Sequence, residues 1–246
     1  WMLGLSATPD REDGLSCVFE AFLGPAVYKN TQRAPDKDAV VKAVWFDSPD
    51  PAYAEIPLNS RGEAITAKLV NQVADFEPRN RRILQLLAEY VADPNRNLLL
   101  ISDRISQLEW FHQAIQDTYP DCPVGYYIGG MKQTDLDRNA ATCRILLATY
   151  QMTAEGFSVK KLNTIVLLTS RKHVEQASGR IFRERIDTRK VAPHIIDVID
   201  SHHCHLNRWY VRQKFYKDCH YTIEHIDRPK KSSAAHREDQ PMFTFT

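Results

Sequence analysis

Four residues of this chain have the types and spacing to act on a phosphoryl group: Gln176, Gly179, Arg180 and Arg183, within the run from His173 to Arg185. A guanidinium stays charged at any physiological pH, and its planar fork of N–H donors matches phosphate oxygens. Two of them, three residues apart, can stabilise the charge that spreads over a transferring phosphoryl group. At 100° per residue Val174, Ala177 and Ile181 share one narrow stripe, while Gln176, Arg180 and Arg183 share another. The spacing predicts a helix over 173–185 that packs by one face and offers guanidiniums from the other. An isolated Arg-x-x-Arg is usually a solvated basic face, so this assignment depends on the elements around it.

Those elements supply hydroxyls and glycines at the ends of apolar runs. Leu3-Gly4-Leu5-Ser6-Ala7-Thr8-Pro9 reads as a buried strand delivering Ser6 and Thr8 to a sheet edge, with Asp10-Arg11-Glu12-Asp13-Gly14 after it. Leu98 to Ile101 is an apolar run ending in Ser102-Asp103, and Arg144 to Ala148 ends in Thr149 and leads to Ala154-Glu155-Gly156. Ser6-Ala7-Thr8 with Pro9 resembles motif III of superfamily 2 helicases, and the longer string through Asp13 looks like the XPB-type branch. In the same order, residues 98–103 resemble motif IV, 144–156 resemble motif V, and 176–183 resemble motif VI. The likeness covers residues 1 to about 200. Motif V departs from the family form: Thr149-Tyr-Gln-Met-Thr-Ala-Glu-Gly156 has no acidic residue after its glycine.

The resemblance implies a role for each matching position. Arg180 and Arg183 would face the γ-phosphate of ATP, supported by Gln176 and Gly179, and Glu155 and Gly156 would lie against the nucleotide. Ser102 and Thr149 would touch a nucleic-acid backbone. Ser6 and Thr8 would couple the ATP state to closure of two domains. ATP and Mg2+ are the cofactors implied, with the main ligands in another domain. The segment Ala43 to Ser48 also looks like the XPB-type strand entering a second domain, and residues 207–221 look like the C-terminal helix and strand of poxvirus-like transcript-release helicases.

Such motors hold ATP between two domains, the first carrying G-x-x-x-x-G-K-[ST] and acidic Mg2+ ligands. Neither pattern occurs here. The nearest run, Gly125 to Lys132, has Met131 where lysine is needed and no Ser or Thr after Lys132. The expectation is therefore the C-terminal part of a longer helicase, inactive by itself, whose first RecA-like domain is a partner.

Alternating strand and helix patterns predict an α/β fold with a mostly parallel sheet. Strands are expected at 40–46, 98–102, 124–128, 145–148, 164–169 and 195–199. Helices are expected at 15–22, 64–76, 79–91 and 106–119, with a short one near Leu136. Read with the resemblance, this is a RecA-like three-layer domain over 35–227, preceded by the end of a first RecA-like domain over 1–34 and followed by a flexible tail over 228–246.

A net charge of +1 gives no global argument for nucleic acid. Charge is uneven, however: residues 202–231 hold seven Lys or Arg against three acids, a patch of +4 that suits a phosphate backbone or a plain solvated surface. Aromatics interleave with it at Trp209, Tyr210, Phe215, Tyr216 and Tyr221, and at this spacing they fit a helix core better than a base-stacking surface. Cys17, Cys122, Cys143, Cys204 and Cys219 form no C-x-x-C pair, and an odd count argues for reduced thiols. His202-His203-Cys204-His205 with Cys219-His220 has zinc-type ligands, but adjacent residues rarely converge on one ion, so no metal is expected.

No apolar stretch is long enough to span a bilayer and no leader peptide is evident, so a soluble intracellular protein of the cytoplasm, the nucleus or a virion is expected. The function expected is ATP-dependent remodelling of nucleic acid, DNA ahead of RNA, in viral transcription or repair and alongside proteins of those processes. A non-hydrolysing nucleic-acid-binding module and a protein-docking domain are the alternatives. Paired arginines weigh against both, because neither needs them.

Overall fold

A computed structural model describes residues 4, 16–28, 36–154, 159–181 and 189–229. The chain divides after Pro35 into two compact units. In the first, α1 spans Ser16–Leu23 and ends at Gly24, whose amide donates to the Glu20 carbonyl at 2.9 Å. Gly24 sits at φ +80°, a left-handed exit that only glycine makes without strain.

The second unit runs β1 (Val40–Phe46), α2 (Pro51–Ala54), α3 (Thr66–Asp75), α4 (Glu77–Ala92), β2 (Leu98–Ser102), α5 (Ile105–Thr118) and β3 (Val124–Tyr127). It continues with α6 (Gln133–Thr142), β4 (Ile145–Thr149), α7 (Tyr150–Ala154), β5 (Thr164–Leu167), α8 (Glu175–Ser178), β6 (His194–Asp200), α9 (His203–Asp218) and β7 (Thr222–Ile226). The seven described strands are ordered β3-β4-β2-β5-β6-β1-β7, and every pairing is parallel. The central strands are near-continuous apolar runs, Leu98-Leu-Leu-Ile and Ile145-Leu-Leu-Ala, because a parallel sheet is covered on both faces.

Alternation along each strand divides the core in two. Leu99, Ile101, Leu146, Ala148, Ile165, Leu167, Ile195 and Ile199 face a cluster with Leu136 of α6, Tyr150 of α7, Ala177 of α8 and Trp209 and Tyr216 of α9. Leu98, Leu100, Ile145, Leu147, Val166, Ile196 and Val198 face Ile83 and Leu87 of α4 and Leu108, Phe111 and Ile115 of α5. This is the RecA-like three-layer α/β architecture expected, with the sheet wholly parallel among the described residues. α4 starts with Glu77-Pro78, an acid and a proline in the first turn, where both suit the free amides of a helix start.

Several local expectations change. α2 and α7 are helices the pattern did not predict. The run from His173 does not form one long helix: α8 is a single turn, and the 182–188 part lies outside the described residues, as does 230–246. No described helix is long and apolar enough to cross a membrane.

Candidate functional site

Because the strands are parallel, their carboxyl ends and following loops share one edge, where open α/β sheets bind ligands. Ser102 and Thr149 close β2 and β4 there and are cross-strand partners. Thr149 is half-buried. Ser102 is fully buried, its hydroxyl donating to Gln107 Oε1 at 2.7 Å and accepting from the Arg104 amide at 2.9 Å. Gln107 donates onward to Asn80 of α4 at 2.9 Å. In this arrangement the Ser102 hydroxyl organises the start of α5, a common use of serine at a strand end.

Val174, Ala177 and Ile181 are buried, as their stripe predicts. Within α8 the Ser178 and Gly179 amides donate four residues back, to Val174 and Glu175. The Arg180 and Ile181 amides donate only three back, to Ala177 and Ser178, so the chain tightens past one turn. Gly179 caps the turn at φ −57°, ψ −16°. A helix this short has no stability of its own, and burial of its three apolar residues holds it. Arg180 is half-buried, Gln176 lies on α8, and α7 packs against α8, which brings the 149–154 and 174–181 segments together. Arg183, Glu155, Gly156, Ser6 and Thr8 lie outside the described residues.

The loop between β5 and α8 has an arrangement that spacing did not reveal. Four successive carbonyls each accept from a side chain of another element. Leu168 O accepts from Arg79 Nη2 of α4 at 2.8 Å, and Thr169 O from the Tyr150 hydroxyl of α7 at 2.8 Å. Ser170 O accepts from Arg208 Nη1 at 2.6 Å and Arg171 O from Arg212 Nη1 at 2.6 Å, both of α9. The Arg171 side chain pairs with Asp103, just after Ser102, and its guanidinium lies 4.9 Å from the centre of the Tyr150 ring. Thr169 Oγ1 accepts from the Asp103 amide at 2.9 Å.

Two of these arginines are anchored to β6 from opposite faces. Arg212 donates to both Asp197 oxygens, at 2.7 and 2.8 Å, and to Ser170 Oγ at 3.0 Å. The Tyr216 hydroxyl adds a 2.9 Å bond to Asp197. Burial alone would lower the Arg212 pKa, but the charge and hydrogen bonds of Asp197 outweigh it and raise it. Burial also raises the Tyr150 and Tyr216 phenols, so both remain donors. Arg79 holds Asp200 on the other face.

Arg212 is therefore structural rather than part of a phosphate-facing patch, and Arg208 is half-buried on Ser170. Trp209 and Tyr216 belong to the core, while Tyr210 is exposed. Among the described residues no group of three or more His, Cys, Asp or Glu could hold a metal ion. His205 is fully buried, with neither ring nitrogen hydrogen-bonded. The half-exposed Arg180 suits an anionic phosphate; the described residues do not supply a Mg2+ site.

The fold is shared with the crystal structure of T4 UvsW, at a TM-score of 0.58 and 18% identity over 77% of this chain and 42% of that one. No family model matches the chain. In sequence it is 29% identical over 203 residues to the protein named "Putative ATP-dependent RNA helicase L396" of Acanthamoeba polyphaga mimivirus, covering 81% of this chain and 38% of that protein. It is 26% identical over 238 residues to "Putative ATP-dependent RNA helicase QP509L" of African swine fever virus (isolate Pig/Kenya/KEN-50/1950), covering 90% and 46%. In sequence the chain is thus similar to viral proteins named as helicases. It spans less than half the length of these curated helicases.

The residues whose part sequence reasoning missed are those that hold the arginine segment. Asp103 and Tyr150 lie in motif-like runs but were given no role, and Arg171, Asp197, Arg208 and Arg212 lie outside those runs. One signal was available: Ile195-Ile-Asp-Val-Ile-Asp200 places two acids in a strand otherwise apolar, and a fully buried aspartate almost always has a charged partner.

Proposed function

We propose that this chain is the C-terminal motor domain of an ATP-dependent superfamily 2 helicase or translocase of the XPB-type branch. The observation that carries this reading is Arg180, half-buried at the carboxyl edge on a segment whose preceding loop is held at four successive carbonyls. A guanidinium held on a rigid frame suits the role of stabilising charge on a transferring phosphoryl group.

In this reading Arg180 and Arg183 face the γ-phosphate of ATP bound to a first RecA-like domain, with Gln176, Gly179, Glu155 and Gly156 beside the nucleotide. That first domain supplies the Mg2+ ligands, and residues 1–34 are its end, linked to ATP state through Ser6 and Thr8. Residues 35–227 form the second domain and 228–246 a tail. Ser102 and Thr149, at neighbouring strand ends on the carboxyl edge, contact the nucleic-acid backbone. DNA is the track favoured by the XPB-like string at 4–13, whereas the relatives' names specify RNA. The deciding experiment measures ATP hydrolysis by the intact protein with and without DNA or RNA, beside Arg180→Ala. Turnover stimulated by nucleic acid and lost in the variant supports the reading; equal turnover in wild type and variant refutes it.

A further inference from the structure

Resting on that reading, we infer that Arg212 is a positioning residue for ATP hydrolysis, setting Arg180 through the loop 168–171 without touching nucleotide. Arg212 is fully buried and divides its fork between two tasks. Nε and Nη2 bind both oxygens of Asp197 on β6, which fixes the guanidinium plane relative to the sheet. Nη1 then presents hydrogen bonds to Ser170 Oγ and Arg171 O. The loop backbone is thereby referenced to the central sheet through one rigid planar group.

The clamp ends where Arg180 begins to be placed. After Arg171 the chain has only Lys172 and His173 before Val174, which is buried and caps the start of α8, the single turn that leads to Arg180. A one-turn helix cannot set its own position, so a shift of the loop passes directly to Arg180. Arg208 on Ser170 O and Tyr150 on Thr169 O hold the same loop, but neither is locked to a carboxylate of the sheet as Arg212 is to Asp197. Arg79 is so locked, to Asp200, but grips only Leu168 O, at the end of the loop farther along the chain from Arg180. Lysine at 212 would keep the charge and lose the fork, since one ammonium cannot span Asp197 and the loop with the same planar geometry.

The test uses the intact protein. Arg212→Lys should lower kcat for ATP by about ten- to a hundredfold, as displacement of a catalytic group by about 1 Å does, with KM for ATP held within about twofold because binding is untouched. In an Arg180→Ala background the same lysine should cost nothing further, since both changes remove one function. The apolar pair Arg212→Met with Asp197→Leu removes the clamp without stranding a buried charge and should reproduce the kcat loss if the lysine variant fails to fold. Arg212→Lys with normal kcat, or a loss that persists in full on top of Arg180→Ala, overturns the positioning role while leaving the helicase reading intact. Arg180→Ala with normal turnover overturns both.

Discussion

Arg79 donates to both carboxylate oxygens of Asp200, at 2.6 and 3.0 Å, and neither side chain reaches solvent. The pair joins α4 to the last residue of β6, while the same guanidinium holds Leu168 O and the Tyr53 hydroxyl donates to Asp200 at 3.1 Å. Losing one partner leaves the other charge buried alone. Arg79→Met or Asp200→Leu should therefore each destabilise the domain by about 3 to 5 kcal/mol, and the double variant by much less than their sum. Denaturant unfolding of the three variants checks this. Additive losses would mean that the two residues do not act as a pair.

If Arg180 acts as proposed, Arg180→Ala should reduce ATP turnover of the intact protein by about a thousandfold or more, because an arginine finger acts on charge that peaks in the transition state. Affinity for nucleic acid without nucleotide should stay within a few fold. Arg180→Lys should rescue poorly, since lysine carries the charge but not the fork. Steady-state kinetics beside equilibrium binding separates the two effects.

Residues 1–246 alone should not hydrolyse ATP, since the sequence holds neither a phosphate loop nor a Walker-type acidic pair. They should bind nucleic acid weakly, at about 10⁻⁴ to 10⁻⁶ M, with affinity falling steeply as salt rises. Fluorescence anisotropy across a salt series reads both. Nanomolar, salt-insensitive binding would favour a dedicated binding module instead.

Stability should fall in mild acid. Burial lowers His205 to about 4, with Arg208, His202 and Arg79 adding to the effect and Asp200 opposing it. Burial, then Arg96 and Lys42, lowers His194 to about 4. Between the ordinary histidine value of 6.5 and about 4 the unfolded chain binds protons that the folded chain does not, so stability is complete above that window and drains as pH falls through it. Replacing His205 with Leu should flatten this slope in pH-dependent urea unfolding. A slope unchanged in the variant would show that His205 does not carry it.

What sequence determined by itself is local. β2 at 98–102 has the bounds its apolar run predicts, because burial on both faces of a parallel strand leaves a continuous signal in the chain, and β1 at 40–46 also has its expected bounds although Lys42 interrupts its apolar residues. The stripe of Val174, Ala177 and Ile181 was legible from helical periodicity, and all three are buried. Tertiary structure decided the rest. Placing β1 between β6 and β7 depends on pairings over 140 residues apart, which no local periodicity encodes. The Ser102 hydroxyl turns inward because it donates to Gln107 while accepting from the Arg104 amide, and Gln107 is itself fixed by Asn80 of α4, distant in sequence. Asp197 and Asp200, three residues apart on one strand, face opposite layers and meet Arg212 and Arg79 from helices that follow and precede them in the chain. A sequence shows that two acids lie in an apolar strand; only packing of helices on both faces shows which guanidiniums reach them, and that the same guanidiniums hold the loop leading to Arg180.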